Sequence, residues 1–193
     1  MLRSLYDKVL AAAAHRHAER WLALVSFLES SVFPIPPDVM IVPMVLADRT
    51  KWLRIAAVCT IASVFGGLAG YAVGLFLFDT LGQALLDFYG YGEKFTSFTD
   101  RYNEWGAWIV FGAGVTPFPY KVITIASGVT QLDLFVFVVA SVLARSLRFF
   151  IVAGLLWKFG APIRGFIERY LGPLTILFFV LLIGGFVLLK YVL

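Results

Sequence analysis

Charge is scarce in this chain. Lys, Arg, Asp and Glu make up 15% of its 193 residues, against 61% apolar side chains. Soluble domains carry roughly 25% charged residues, so an ordinary water-soluble domain is excluded. Histidine and cysteine are nearly missing, at two and one. A lone cysteine forms no internal disulfide, and Cys59 lies in an apolar run, where a thiol is a small packing residue. His15 and His17 fall in a charged N-terminal stretch and are expected to be solvated. That leaves "ASG" at 126–128 without the buried base a serine nucleophile needs. No His/Glu metal spacing and no phosphate-cradling glycine loop occurs. No enzyme, cofactor, metal or nucleic-acid partner is therefore expected. Residues 1–20 also lack the short apolar core and small-residue cleavage site of a removable signal.

Long apolar runs are what the chain does have. Residues 52–78, 134–157 and 173–189 approach or exceed the roughly 20 residues that cross a bilayer. The chain reads as an all-α integral membrane protein forming a single membrane domain, 1–193. Residues 1–20 form an amphipathic surface helix. Two further apolar segments, 21–47 and 106–130, each carry a P-x-P at the centre: Pro34 and Pro36 in one, Pro117 and Pro119 in the other. An interfacial connector is expected over 79–105, and over 160–193 an interfacial stretch and a C-terminal transmembrane helix. In the 52–78 span, Gly66, Gly70 and Gly74 recur at i, i+4, a spacing that lets another backbone approach closely.

Charge placement separates two topologies for the P-x-P segments. If both are re-entrant hairpins, the residues at 1–20, 48–54 and 158–169 share one side, which then holds ten Lys/Arg. If both are kinked spans, the side taken as cytoplasmic keeps, of the residues between spans, only Arg49, Lys51 and Arg54. The positive-inside rule favours the hairpins, with the N-terminus cytoplasmic and the C-terminus outside. Sliding the sequence by 83 residues superposes Pro34, Pro36 and Val39 on Pro117, Pro119 and Val122. Each copy continues into a turn and a span, giving repeat 1 over 21–78 and repeat 2 over 106–159. Entered from opposite sides, these form an inverted repeat, an arrangement found in transporters.

Proline fits the first turn of a helix, where its missing N–H has no partner. Pro36 and Pro119 are therefore expected to start the returning arms and to aim two helix N-termini at the membrane interior. Such ends attract anions. Five charges are expected at depth: Glu29 and Asp38 against Lys121, Arg145 and Arg148. Charges inside a membrane normally face a bundle interior or a wet cavity. The bland reading is a fully paired internal network. The sharper one is a pocket for an anionic headgroup, with a carboxylate that takes up a proton.

"FLESSVFPIPPD" (27–38), "GVTPFPYKVITIASG" (114–128) and "RSLRFF" (145–150) resemble the DedA family of inner-membrane proteins, also called the SNARE-associated or VTT-domain family. The closest branch is its short YqaA-like members, and the similarity runs from about Trp21 to Trp157. The resemblance implies a bacterial inner-membrane location and movement of lipids across the bilayer, undecaprenyl phosphate or a phospholipid. It assigns the acidic roles to Glu29 and Asp38. The family's R-x-x-P-x-x-R departs here: Gly114 stands in the first arginine's place, and Tyr120 or Lys121 in the second's. The leading expectation is an anionic-lipid translocase, with proton coupling and homo-oligomerisation left open. A proton-coupled transporter of a small soluble ion and a non-transporting scaffold are the alternatives.

Overall fold

The computed structural model describes residues 17–31, 36–82, 92–116, 118–160 and 162. The 1–20 surface helix up to residue 16, the tip residues Pro34 and Pro117 and the C-terminal span at 173–189 lie outside the described residues. Six α-helices are described: α1 Ala18–Ser31, α2 Asp38–Ala47, α3 Trp52–Leu77, α4 Gly92–Val115, α5 Tyr120–Val129 and α6 Leu134–Gly160. No strand occurs among the described residues. A 3₁₀ turn, Arg49–Lys51, leads into α3, and a π-helical turn, Phe78–Gly82, continues it.

Both P-x-P segments break where proline chemistry requires. Val39 N–H bonds the Pro36 carbonyl at 3.3 Å and Val122 N–H the Pro119 carbonyl at 3.0 Å, so each proline opens a helical turn. Neither returning helix has a side-chain cap. The breaks divide the segments into arms of 14 and 10 residues in the first copy and 24 and 10 in the second. One boundary differs from the sequence reading. The connector was expected to end at Trp105, where polar residues give way to apolar ones. Instead α4 begins at Gly92 and runs through that point without interruption. The change in polarity at 105/106 thus falls inside one helix, and Gly106, packed against Leu132, does not break it.

The turns into the two long helices each carry a capping aspartate. Asp48 accepts from Thr50 N–H at 3.1 Å, from the Thr50 hydroxyl at 2.5 Å and from Lys51 Nζ at 2.9 Å. The Thr50 bond first, then Lys51, holds its carboxyl below the ordinary 3.8. Asp133 Oδ1 accepts from Val136 N–H at 2.9 Å. Ahead of it, Leu132 N–H reaches back to the Ser127 carbonyl at 2.9 Å around Gln131, whose φ is +52°. This is the left-handed closure of a helix C-terminus. Tyr71 Oη secures the turn by donating to the Leu132 carbonyl at 2.7 Å.

The small-residue face of α3 sets how the helices stack. A β-carbon on Gly66 would strike the Phe27 carbonyl of α1, and one on Gly74 the Ile125 carbonyl of α5. Gly70 lies beneath Thr124. The i, i+4 glycines thus admit two helices at backbone distance. Two apolar clusters result. One joins Leu22, Ile41, Val45, Ile55, Cys59, Phe149 and Ala153. The other joins Tyr102, Val110, Tyr120, Leu132, Phe137 and Ala140. Cys59 is fully buried in the first, as expected of a packing residue.

Polarity is distributed inside out. Arg145, Ser26, Ser30, Ser63 and Ser141 are wholly buried, while Phe135 is 76% exposed, Phe76 67% and Phe65 61%. In water, so much exposed aromatic and aliphatic surface would drive association. An apolar surround removes that penalty and demands satisfied polar groups within. Among the described residues, two helices, Arg49–Leu77 and Leu134–Gly160, are long and apolar enough to cross a membrane. Trp21, Trp105 and Trp157 are exposed, and Trp52 stacks on Trp157 at 5.5 Å.

Candidate functional site

Glu29 sits in the last turn of α1, carried on a helix whose buried stripe is Ala18, Leu22, Ser26 and Ser30. Asp38 is the first residue of α2 and Lys121 the second of α5. Arg145 and Arg148 lie near the middle of α6, three residues apart and so on adjoining faces.

Four of these five side chains form two ion pairs. Arg145 Nη2 donates to Glu29 Oε2 at 2.7 Å, and Arg148 Nη2 to Asp38 Oδ2 at 3.0 Å. The pairs differ in surroundings. Arg145 is sealed, its side chain 1% exposed and that of Glu29 17%; Arg148 and Asp38 stand at 21% and 31%. Lys121, half-buried, follows Tyr120 in the first turn of α5.

A hydroxyl network surrounds the inner pair. Arg145 Nε donates to Ser63 Oγ at 2.5 Å, and Nη2 also reaches Ser30 Oγ at 3.3 Å. Ser30 and Ser63 are 2.6 Å apart, and Ser30 donates to Glu29 Oε2 at 3.1 Å. With its one proton on Glu29, Ser30 must accept from Ser63. The hydroxyl protons then run from Ser63 through Ser30 toward the Glu29 carboxyl group. The guanidinium carbon lies 4.7 Å from the ring centroids of both Tyr120 and Phe149, within cation–π range. Tyr120 Oη donates to Ser141 Oγ at 2.5 Å.

The outer pair ties the two breaks together. Arg148 holds Asp38, at the start of α2, and also donates Nη1 to the Thr116 carbonyl, just beyond α4, at 3.2 Å. Nearby, Gly114 is required by crowding: a β-carbon there would come 2.6 Å from that of Ala144. An arginine side chain would have no room at this position, and Arg145 Cδ lies 3.7 Å from that same point.

The chain is 40% identical over 169 residues to an uncharacterized protein of Haemophilus influenzae, covering 86% of this chain and 88% of that one. It is 37% identical over 169 residues to an uncharacterized protein of Histophilus somni, with the same coverage. The chain belongs to the family of these two proteins. No family model and no solved structure matches it.

Sequence reasoning picked out the five charges and missed the hydroxyls that orient them. Ser26 and Ser30 stand one turn apart on the face that carries α1 into the core, and Ser63 stands near the middle of an apolar span. Hydroxyls on a buried face of an apolar helix were the available signal. Tyr120 was weighed only as a substitute for a missing base, yet its ring is the wall against which Arg145 packs.

Proposed function

We propose that this chain is a membrane transporter that moves an anionic lipid, undecaprenyl phosphate or a phospholipid, across a bacterial inner membrane. The observation that carries this reading is a fully buried arginine, paired and oriented, near the middle of a membrane-length helix where two proline-broken segments meet. In the proposed topology these segments are re-entrant hairpins related as an inverted repeat. Several features support that arrangement. Pro36 and Pro119 open helical turns 83 residues apart, and Asp48 and Asp133 cap the entries to the two long helices. The first apolar cluster joins α1, α2 and the start of α3 to the later half of α6. The second joins α4, α5 and the start of α6, with Leu68 and Tyr71 of α3 packed against it.

In this mechanism the phosphate approaches Lys121, Arg148 and Arg145, aided by the uncapped N-termini of α2 and α5. The apolar tail stays in lipid beside the exposed faces of α3 and α6. Asp38, the more exposed carboxylate, is the proton-accepting group where transport is proton-coupled. Rocking of one repeat against the other exposes the site to either side.

The test uses the purified chain in liposomes with a labelled lipid phosphate in one leaflet, with and without a pH gradient. Wild type is expected to move the label, and Lys121→Ala and Arg145→Ala to lose most of that movement. No movement by well-folded wild type would sink the reading. The scaffold alternative draws on the fact that both carboxylates already meet arginines. Exchanging Asp38 and Arg148 separates the two: a scaffold keeps its stability and function, whereas a substrate site fails.

A further inference from the structure

Among the described residues, two buried side-chain atoms have no hydrogen-bond partner: Thr99 Oγ1 and Arg145 Nη1. They are not equivalent. A hydroxyl rotates freely to find a partner, while Nη1 carries two N–H donors in a fixed plane and a share of a delocalised charge. Leaving a buried donor of a charged group unmade is costly.

The rest of the guanidinium is already committed. Nε serves Ser63, Nη2 serves Glu29 and Ser30, and the rings of Tyr120 and Phe149 pack against the group. Turning the group to satisfy Nη1 would take donors from Ser63 or Glu29. Arg145 also leans on Tyr120, the first residue of α5, a ten-residue helix that starts behind Pro119 without a side-chain cap. A positive helix end and an unmet guanidinium nitrogen therefore belong to one corner of the fold.

We infer that Arg145 Nη1 is the donor port of a buried anion subsite, and that a phosphate oxygen accepts from it beside Glu29 without displacing Glu29. Glu29, Ser30 and Ser63 are then positioning residues. They fix the side of the guanidinium that faces the pairs and leave Nη1 for the ligand. The inference rests on the transporter reading only for where the phosphate comes from, a lipid headgroup or the free ion.

The full chain is prepared in maltoside micelles, which carry no phosphate, with ¹⁵N-labelled arginine. Inorganic phosphate and a short-chain phosphatidic acid are titrated separately. Arg145, the one wholly buried arginine among the described residues, is identified by its slow-exchanging guanidinium signals. These are expected to move on binding. Arg145→Lys keeps the charge and a bond to Glu29 but has no Nη1, and it should weaken binding about tenfold or more. The infrared difference spectrum should show no new protonated-carboxyl band.

Arginine-dependent binding of both probes, or of the lipid alone, supports the port. Binding of inorganic phosphate alone also supports it and transfers the transporter reading to a soluble ion. Equal binding by Arg145→Lys overturns the port but leaves lipid transport through the other cations standing. Saturation that leaves the wild-type Arg145 signals unmoved overturns it even if the variant fails to fold, and so does an absence of binding to wild type. A carboxyl band on binding that Glu29→Gln abolishes would show displacement and overturn the shared-site geometry.

Discussion

A guanidinium carries five N–H donors, and at Arg145 the fold has partners for those on Nε and Nη2. Burying one charge of such a pair without the other is far worse than burying neither. Glu29→Gln and Arg145→Gln should each destabilise the chain by about 3–5 kcal/mol. The double variant should lose clearly less than the sum, because the penalty in each single variant is an orphaned charge. Unfolding in mixed micelles across the four proteins of the cycle gives the coupling directly. Additive losses would mean that the two side chains do not sense each other. At this scale the sequence was half legible. Five charged residues in apolar runs stand out because membrane interiors tolerate few of them. Their pairing was hidden, since Glu29 and Arg145 are 116 positions apart and only the packing of α1 on α3 brings Ser30 and Ser63 together.

At the scale of the element, the glycines of α3 matter through what opposes them. Gly74 faces the Ile125 carbonyl, a backbone atom that cannot swing aside, whereas nothing lies within 4 Å of a β-carbon on Gly112 in α4. Gly74→Ala should therefore destabilise the chain by about 1–3 kcal/mol through overpacking. Gly112→Ala should stabilise it by about 0.5–1 kcal/mol by removing a glycine from a helix interior. Thermal unfolding of the two variants checks the opposite signs, and equal shifts would remove the close-approach account. The two long apolar helices α3 and α6 and the proline-started turns were legible because length, hydropathy and missing N–H groups are local properties. The start of α4 was not. A polar stretch before an apolar one reads as a connector, although a helix passing from an aqueous to an apolar surround has the same composition.

For the whole molecule, the decisive question is how many times the chain crosses the membrane before Trp52. Re-entrant segments put Thr50 and Gln131 on opposite sides of the bilayer, while kinked spans put them on the same side. Cys59 is the only cysteine and is buried in an apolar cluster, so Cys59→Ala offers a background for single-cysteine labelling. On it, Thr50→Cys and Gln131→Cys should react with a membrane-impermeant thiol reagent from opposite faces, Thr50→Cys from the cytoplasmic one. Labelling from one shared face would refute the hairpins and with them the inverted repeat. Composition and the placement of Lys and Arg carried the sequence reading this far. The relation between the two halves could not be read from identity, because few residues besides the prolines coincide at an offset of 83.

One helix carries both arginines. Arg145 and Arg148 are separated by three residues of α6, about 4.5 Å of rise, and their carboxylates come from α1 and α2, on either side of the first break. A rigid rod with two latches so close together cannot release them one at a time by sliding. An axial shift of half a turn unseats both at once, and Arg148 lets go of the Thr116 carbonyl in the same stroke. Tilting, by contrast, can open the half-exposed latch while the sealed one serves as the pivot. The spacing of two residues thus sorts the motions open to the molecule: translation is all-or-none, and only a swing about Arg145 can proceed by degrees.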